Sequence, residues 1–366
     1  MFGAAFELAR PLLHALNPEH AHELTLKALE VGIHPRAPAA DDARLAIDLW
    51  GLRFSNPFGI AAGFDKDARV ADAVLAMGFG YTEIGTVTPR PQAGNPPPRI
   101  FRLSRDKAMI NRLGFNNAGH AAVHARLARR AKAVGIIGVN VGANRDAPDR
   151  TSDYVEGLRC FNDVAAYLTI NVSSPNTPHL RDLQMPARLD ALLQGLLRAR
   201  QELIAAGQPG RPIVVKLAPD IAEADLPGIV EVVLTRRLDG IAIGNTTLSR
   251  TKLQDRERAH EAGGLSGRPL FHRSTVLLAR VHRLARGAVP LIGIGGIDSA
   301  QTAIAKIEAG ATLLQLYTGL VYEGPSLLPL MKRELVAYLQ RTGCTRIADA
   351  VGRSAAAWAA KSLDAL

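Results

Sequence analysis

Cysteine is nearly absent: Cys160 and Cys344 are the only two in 366 residues, far apart and outside any CxxC or Cys/His cluster. That excludes a disulfide framework, gives no zinc-site spacing and points to a reducing compartment. Long apolar runs are missing too. No stretch reaches the roughly 18 residues of a membrane-spanning helix, and no basic region leading to a cleavage site opens the chain. A cytoplasmic protein is expected, free to lie on a membrane surface. Aromatic residues make up 5%, and none interleaves with the basic run Arg126-Leu-Ala-Arg-Arg-Ala-Lys132, so a base-stacking platform is excluded. Excess charge is confined to one segment. The formal net charge is +10, and residues 99–150 hold eleven Lys/Arg against three Asp, which is +8 of it. The 126–132 run has helical spacing and reads as a solvated outer face, with an anionic surface or nucleic acid as the alternative. Neither a nucleic-acid partner nor a metal site is expected.

What is present is enough apolar material for a large core: 47% hydrophobic residues. Eight short apolar segments, 58–61, 81–84, 136–141, 167–172, 212–217, 240–243, 290–293 and 313–317, read as buried strands, most of them separated by helical patterns. That alternation predicts an α/β fold, a (β/α)8 TIM barrel, with an open doubly wound sheet as its rival. Ahead of it, 45–49 and 52–54 alternate around Trp50-Gly51 like a small hairpin, and 38–42 reads as a linker. The first 35 residues suggest two short helices. Phe2, Phe6, Leu13 and Leu16 mark the first; Asn17 caps the second, Pro18 opens it, and Leu24, Ala28 and Val31 form its stripe. This pair is a docked cap, an interfacial membrane foot or the mouth of an apolar tunnel. The expected division is a helical extension at 1–37, a barrel at 44–336 and a helical tail at 337–366.

Polar residues recur where the strands end, the rim on which barrel enzymes do their chemistry. Ala62-Gly63-Phe64-Asp65-Lys66 follows the first strand, Gly85-Thr86 the second, and Asn140 ends the third. Asn171-Val-Ser-Ser-Pro-Asn-Thr177 follows the fourth, Lys216 ends the fifth, and Asn245-Thr-Thr247 follows the sixth. Gly293-Ile-Gly-Gly296 and Tyr317-Thr-Gly319 complete the set. Taken singly, each is also an ordinary turn, cap or snorkelling lysine. Gly295, Gly296 and Thr318 suit a phosphate. GIGG lacks the dinucleotide spacing GxGxxG, so a mononucleotide such as FMN fits better. Lys216 could then face the electron-rich pyrimidine edge of a flavin and stabilise charge on reduction.

The motifs AAGFDK (61–66), EIGTVTPRPQ (83–92), NRLGFNN (111–117), NVSSPNT (171–177), GGLSGRPL (263–270) and GIGGID (293–298) resemble the quinone-dependent, membrane-associated class of dihydroorotate dehydrogenases. The resemblance runs from about Pro11 to Gly324. It implies an FMN-containing barrel that oxidises dihydroorotate to orotate in pyrimidine synthesis. Electrons would pass to a membrane quinone, with the protein peripheral on the cytoplasmic face of the cell membrane. By resemblance, FMN falls to Ala62, Gly63, Phe64, Asp65, Lys66, Thr86, Asn140, Asn171, Lys216, Gly244, Gly267, Gly296, Tyr317 and Thr318. Dihydroorotate or orotate falls to Lys66, Asn111, Arg112, Leu113, Gly114, Phe115, Asn171, Asn176, Asn245 and Thr246. Ser174 stands where the family places its catalytic base, a position that soluble classes give to cysteine. The implied reaction takes a proton from substrate C5 through Ser174 and a hydride from C6 to the flavin. His22 and Arg102 fall near the quinone head group. Gly244 departs from the threonine usual before Asn-Thr-Thr.

Overall fold

The protein is described from a computed structural model covering residues 2–37, 40–130 and 135–364. Eight parallel strands close into a barrel: β1 (Phe58–Ile60), β2 (Tyr81–Val87), β3 (Ile136–Val141), β4 (Tyr167–Asn171), β5 (Ile213–Leu217), β6 (Gly240–Ile243), β7 (Leu291–Ile294) and β8 (Leu313–Leu316). The barrel, and not the open sheet, is the observed topology, because β8 pairs with β1 through Leu314↔Phe58 and Leu316↔Ile60. Every residue of β4 and β5 is buried. Parallel strands covered on both faces need such uninterrupted apolar runs, and this is why the sequence announces them.

The barrel interior is filled by two tyrosines that require glycine opposite them. A Cβ on Gly59 would lie 2.4 Å from the Tyr81 ring, and one on Gly138 would lie 2.2 Å from the Tyr167 ring. The hairpin Ile47–Leu49 and Leu52–Phe54 closes the floor. Its Trp50 donates to the Asp239 carbonyl at 2.8 Å and packs against Phe54 and Tyr167.

At the opposite end lies a feature that the sequence reading missed. Strands Ile100–Leu103, Ala108–Asn111 and Gly264–Gly267 form a three-stranded antiparallel sheet over the mouth. It has its own small core of Phe101, Leu103, Ala108, Ile110 and Leu265.

The N-terminal helices are α1 (Phe2–Ala15) and α2 (Pro18–Glu30). Asn17 caps α2 by accepting the N–H groups of Glu19 and His20. Its inward face is Ala21, Leu26 and Leu29, not the expected stripe; Leu24 and Val31 are exposed. Charge explains the rotation. Arg69 of the barrel binds both Glu23 (2.8 Å) and Glu30 (2.6 Å), and Arg99 binds Glu19, so three of the helix's carboxylates face inward. Phe6 lies against Gly324, while the Phe2 side chain lies outside the described residues. Leu12 and Ile33 are exposed, at 69% and 63%.

The basic run is helical only in part. The helix His120–Ala128 ends inside it, Arg126 donates to the Asp67 carbonyl and Arg130 pairs with Asp72; Ala131 and Lys132 lie outside the described residues. The helix Leu327–Thr342 runs across residue 337. A later short helix, Ala355–Ala359, brings Trp358 against Phe271 and His272.

Candidate active site

The rim loops converge on one cavity beneath the lid sheet. Ala62, Gly63, Lys66, Thr86, Asn171, Lys216, Gly244, Gly267, Gly296, Tyr317 and Thr318 line it, together with Asn111, Leu113, Gly114, Phe115, Ser174, Asn176, Asn245 and Thr246. Six of the expected residues sit elsewhere. Asp65 turns its carboxylate back to the N–H groups of Arg69 and Val70, both at 2.8 Å, and braces its own loop. Phe64 faces a second cavity, under α2. The Arg112 guanidinium stacks over Phe101 and pairs with Glu261. Asn140 is fully buried behind Thr86, whose hydroxyl donates to its Oδ1 at 2.6 Å. His22 lines the second cavity, and Arg102 donates to the carbonyls of Leu13, His14 and Leu16 at the end of α1.

One end of the main cavity is a cradle of backbone. Gly267, Gly295 and Gly296 all have φ between +71° and +99°, and a Cβ on Gly296 would fall 2.5 Å from the Phe271 backbone. The hydroxyl of Thr318 donates to that of Ser266 beside them. At the other end is a buried cation. Lys216 is 4% exposed, and among the described residues it has no ion-pair partner. Burial pulls its pKa down, and the charge of Glu83 opposes that shift. Gln315 also lines the cavity, and its buried Oε1 has no hydrogen-bond partner among the described residues. A glycine cradle for a phosphate, an unpaired ammonium and an orphaned acceptor fit a flat heteroaromatic mononucleotide.

Ser174, buried on the loop after β4, lines this cavity; its Oγ accepts the Asn176 N–H at 3.2 Å. Arg181 binds this loop to the one after β6, donating to the carbonyls of Ser173 (3.0 Å) and Thr246 (2.9 Å) and pairing with Asp220. No cysteine reaches the site. Cys160 lies on an outer helix with its thiol pushed up to about 11 by burial.

The sequence model of the family described as dihydroorotate dehydrogenase matches residues 44–339. The chain belongs to that family. It is 53% identical over 347 residues to the dihydroorotate dehydrogenase (quinone) of Parvibaculum lavamentivorans, covering 95% of this chain and 98% of the other. It is 51% identical over 365 residues to that of Brucella anthropi, covering 100% of both. Among solved structures, the Eimeria tenella dihydroorotate dehydrogenase in complex with ferulenol superposes with a TM-score of 0.89 at 36% identity, covering 94% of this chain and 98% of that one. The ligand-free form from the same organism gives 0.88 at 38% identity, covering 92% and 99%.

The site residues come from all around one barrel, and a second cavity of about 700 Å³ adjoins them under α2. Lys66, Ile100, Leu113 and Tyr317 line both. The second cavity is not the wholly apolar tunnel expected. Leu26, Phe64, Pro97 and Pro98 give it an apolar wall, while Glu19, Glu23, Arg69 and Arg99 line it as ion pairs. Tyr317 approaches His22 Nδ1 through its hydroxyl at 3.3 Å. Burial, then the charge of Lys66, pushes His22 down to about 4, so its ring is neutral near pH 7. Lys66 itself is pushed down to about 8 by burial, with Glu19 and Asp67 opposing. Sequence reasoning missed Glu83, Gln315, Arg181 and Ser266. Glu83 alone gave a signal, as a carboxylate inside the otherwise uncharged strand Tyr81–Val87.

Proposed function

We propose that this chain holds FMN across the barrel mouth, with its phosphate at Gly267, Gly295, Gly296 and Thr318 and its ring above Lys216, and uses Ser174 as the base. The reaction is that of the family, oxidation of dihydroorotate to orotate, with quinone as the acceptor. The observation that carries the site assignment is the convergence of a glycine cradle, the unpaired Lys216 and the Ser174 hydroxyl on one cavity. FMN, when bound, supplies the two-electron acceptor for the hydride at substrate C6. The chain's own residues do the rest. Ser174 takes the C5 proton as its own hydroxyl proton passes on to Thr177 and a bound water, and the Asn176 N–H stabilises charge building on the serine oxygen. Lys66 offers a cation to the orotate carboxylate, and the amides of Asn111, Asn176 and Asn245 suit its carbonyl edges. The closed lid sheet keeps bulk water from these groups.

The second half-reaction belongs to the cavity under α2, with His22 and Tyr317 on its wall and Arg102 at the end of α1. No helix among the described residues is long and apolar enough to cross a membrane. Exposed Leu12, Leu24, Val31 and Ile33 instead give the helix pair an apolar outer face, while Glu19, Glu23 and Glu30 are paired with Arg99 and Arg69. That arrangement supports peripheral seating on the cytoplasmic face of the membrane, where a lipid-soluble quinone can enter. Steady-state assay with dihydroorotate and a membrane quinone, with orotate identified as product, tests the reading. Failure to form orotate from FMN-loaded protein contradicts it.

A further inference from the structure

The most enclosed carboxylate of the barrel has no part in the steps above. Glu83 on β2 is fully buried, and four groups donate to it: Asn140 Nδ2 (2.8 Å), Tyr167 OH (3.0 Å), Thr169 Oγ1 (2.9 Å) and Gln315 Nε2 (2.8 Å). An ionised carboxylate can only accept, and four donors converge on this one, three on Oε2 and one on Oε1. The Asn140 amide presents its nitrogen to this acceptor.

That orientation propagates. With its nitrogen committed, Asn140 has only Oδ1 to offer Thr86, whose hydroxyl donates to it at 2.6 Å. The Thr86 oxygen then accepts from Asn171 Nδ2 at 2.8 Å, and Asn171 Oδ1 accepts from the Ser173 hydroxyl at 2.8 Å. Ser173 in turn accepts from Asn245 Nδ2 at 2.9 Å, and Asn245 Oδ1 accepts the Thr246 N–H at 2.7 Å. Every link points the same way, toward Glu83. Each amide nitrogen carries two N–H groups and uses one of them in the chain. Asn171 and Asn245, which line the cavity, thus keep one N–H each for a ligand. A reversed chain would turn carbonyl oxygens toward an anionic ligand instead.

We infer that Glu83 is a positioning residue that, as the terminal acceptor opposite the backbone donors of Ser173 and Thr246, holds the direction of this hydrogen-bond chain, so that Asn171 and Asn245 present donors, not acceptors, to orotate. The inference rests on the proposed reading of the cavity as the orotate and FMN site. It links the cofactor side of the rim to the substrate side through uncharged side chains, with Glu83 as the terminal acceptor and the backbone N–H groups of Ser173 (3.1 Å) and Thr246 (2.7 Å) as fixed donors to Asn171 Oδ1 and Asn245 Oδ1.

The test is a double-mutant cycle on the FMN-loaded protein, with orotate affinity read from its perturbation of the flavin absorbance. Glu83→Gln keeps the shape but can donate as well as accept, so the chain loses its obligatory terminal acceptor; orotate binding should weaken about tenfold, the scale of one misoriented buried hydrogen bond. Ser173→Ala cuts the chain between Asn171 and Asn245. In that background Glu83→Gln should change orotate affinity less than about twofold. The same tenfold loss in both backgrounds would overturn the inference, because a general loss of packing or a through-space charge effect does not depend on Ser173. If Glu83→Gln does not fold, Thr86→Val breaks the chain without removing the charge, and its effect must likewise shrink when Ser173 is replaced; additive losses overturn the inference. Wild-type protein that loads FMN but shows no orotate-induced change would overturn the reading of the site itself and the inference with it.

Discussion

The Ser174 hydroxyl oxygen accepts the backbone N–H of Asn176 at 3.2 Å, within the same turn that carries both side chains into the cavity. A serine is a poor base near neutral pH, and an N–H aimed at its oxygen favours the state in which the proton has left. Ser174→Ala should retain FMN and bind orotate but slow flavin reduction by about 10²–10⁴-fold, the usual scale for a lost general base. Stopped-flow reduction by dihydroorotate measures this. The wild-type step should also accelerate as pH rises above neutral.

Lys216 supplies positive charge where burial makes it most effective. Replacing it with methionine removes charge that would stabilise the reduced, anionic flavin, so the flavin potential should fall and FMN should dissociate more readily. Spectroelectrochemical titration of the loaded variant reads the sign directly. An unchanged potential would make Lys216 a packing residue.

Lys66 is pushed down to about 8. Bound orotate, an anion, favours its charged form, so orotate affinity should be flat below about pH 8 and fall about tenfold per unit above it. For folding the sign is opposite. A depressed lysine disfavours the native state while protonated, so its stability contribution is present above the unfolded value near 10.4 and lost as pH falls through about 8. Lys66→Gln should remove the inflection in orotate titrations followed from pH 7 to 9.5.

Arg69 joins α2 to the barrel through Glu23 and Glu30. Both carboxylates are a third or more exposed, so Arg69→Ala should weaken docking by only about 1 kcal/mol. That is enough to speed proteolysis within residues 2–30. Removing residues 1–35 altogether should leave bleaching of the flavin by dihydroorotate intact. Reoxidation by a long-tailed quinone should fail, while a small soluble acceptor still works. Because the helix pair exposes leucine, valine and isoleucine while Glu19, Glu23 and Glu30 are paired with Arg99 and Arg69, vesicle binding by the full chain should depend only weakly on salt. Equal loss of both half-reactions in a folded truncation would assign the helices to barrel support.

The barrel was legible because each of its strands is buried on both faces and so reads as a compact apolar run, with ends displaced by at most three residues. The rim was legible because loops carry polar residues where strands stop, and the motif resemblance gave them roles. The lid sheet was not. Its strands are four residues each, the first carries Arg102, and the third arrives about 150 residues later in the chain. The inward face of α2 was misread because its hydrophobic periodicity competes with Arg69 and Arg99, which pull three glutamates toward the barrel. Glu83 was passed over because its role lies in the direction of hydrogen bonds to residues 57 to 232 positions away, which no local pattern encodes.

The central claim is that dihydroorotate reduces a flavin held between the glycine cradle and Lys216. Its most direct test is anaerobic titration of the FMN-loaded protein with dihydroorotate, following the flavin band near 450 nm, a wavelength of roughly ordinary flavin absorbance. The account predicts bleaching that reaches completion with excess substrate, one orotate formed per flavin and recovery of the band on adding quinone. A flavin band that stays unchanged in the presence of excess dihydroorotate would contradict it.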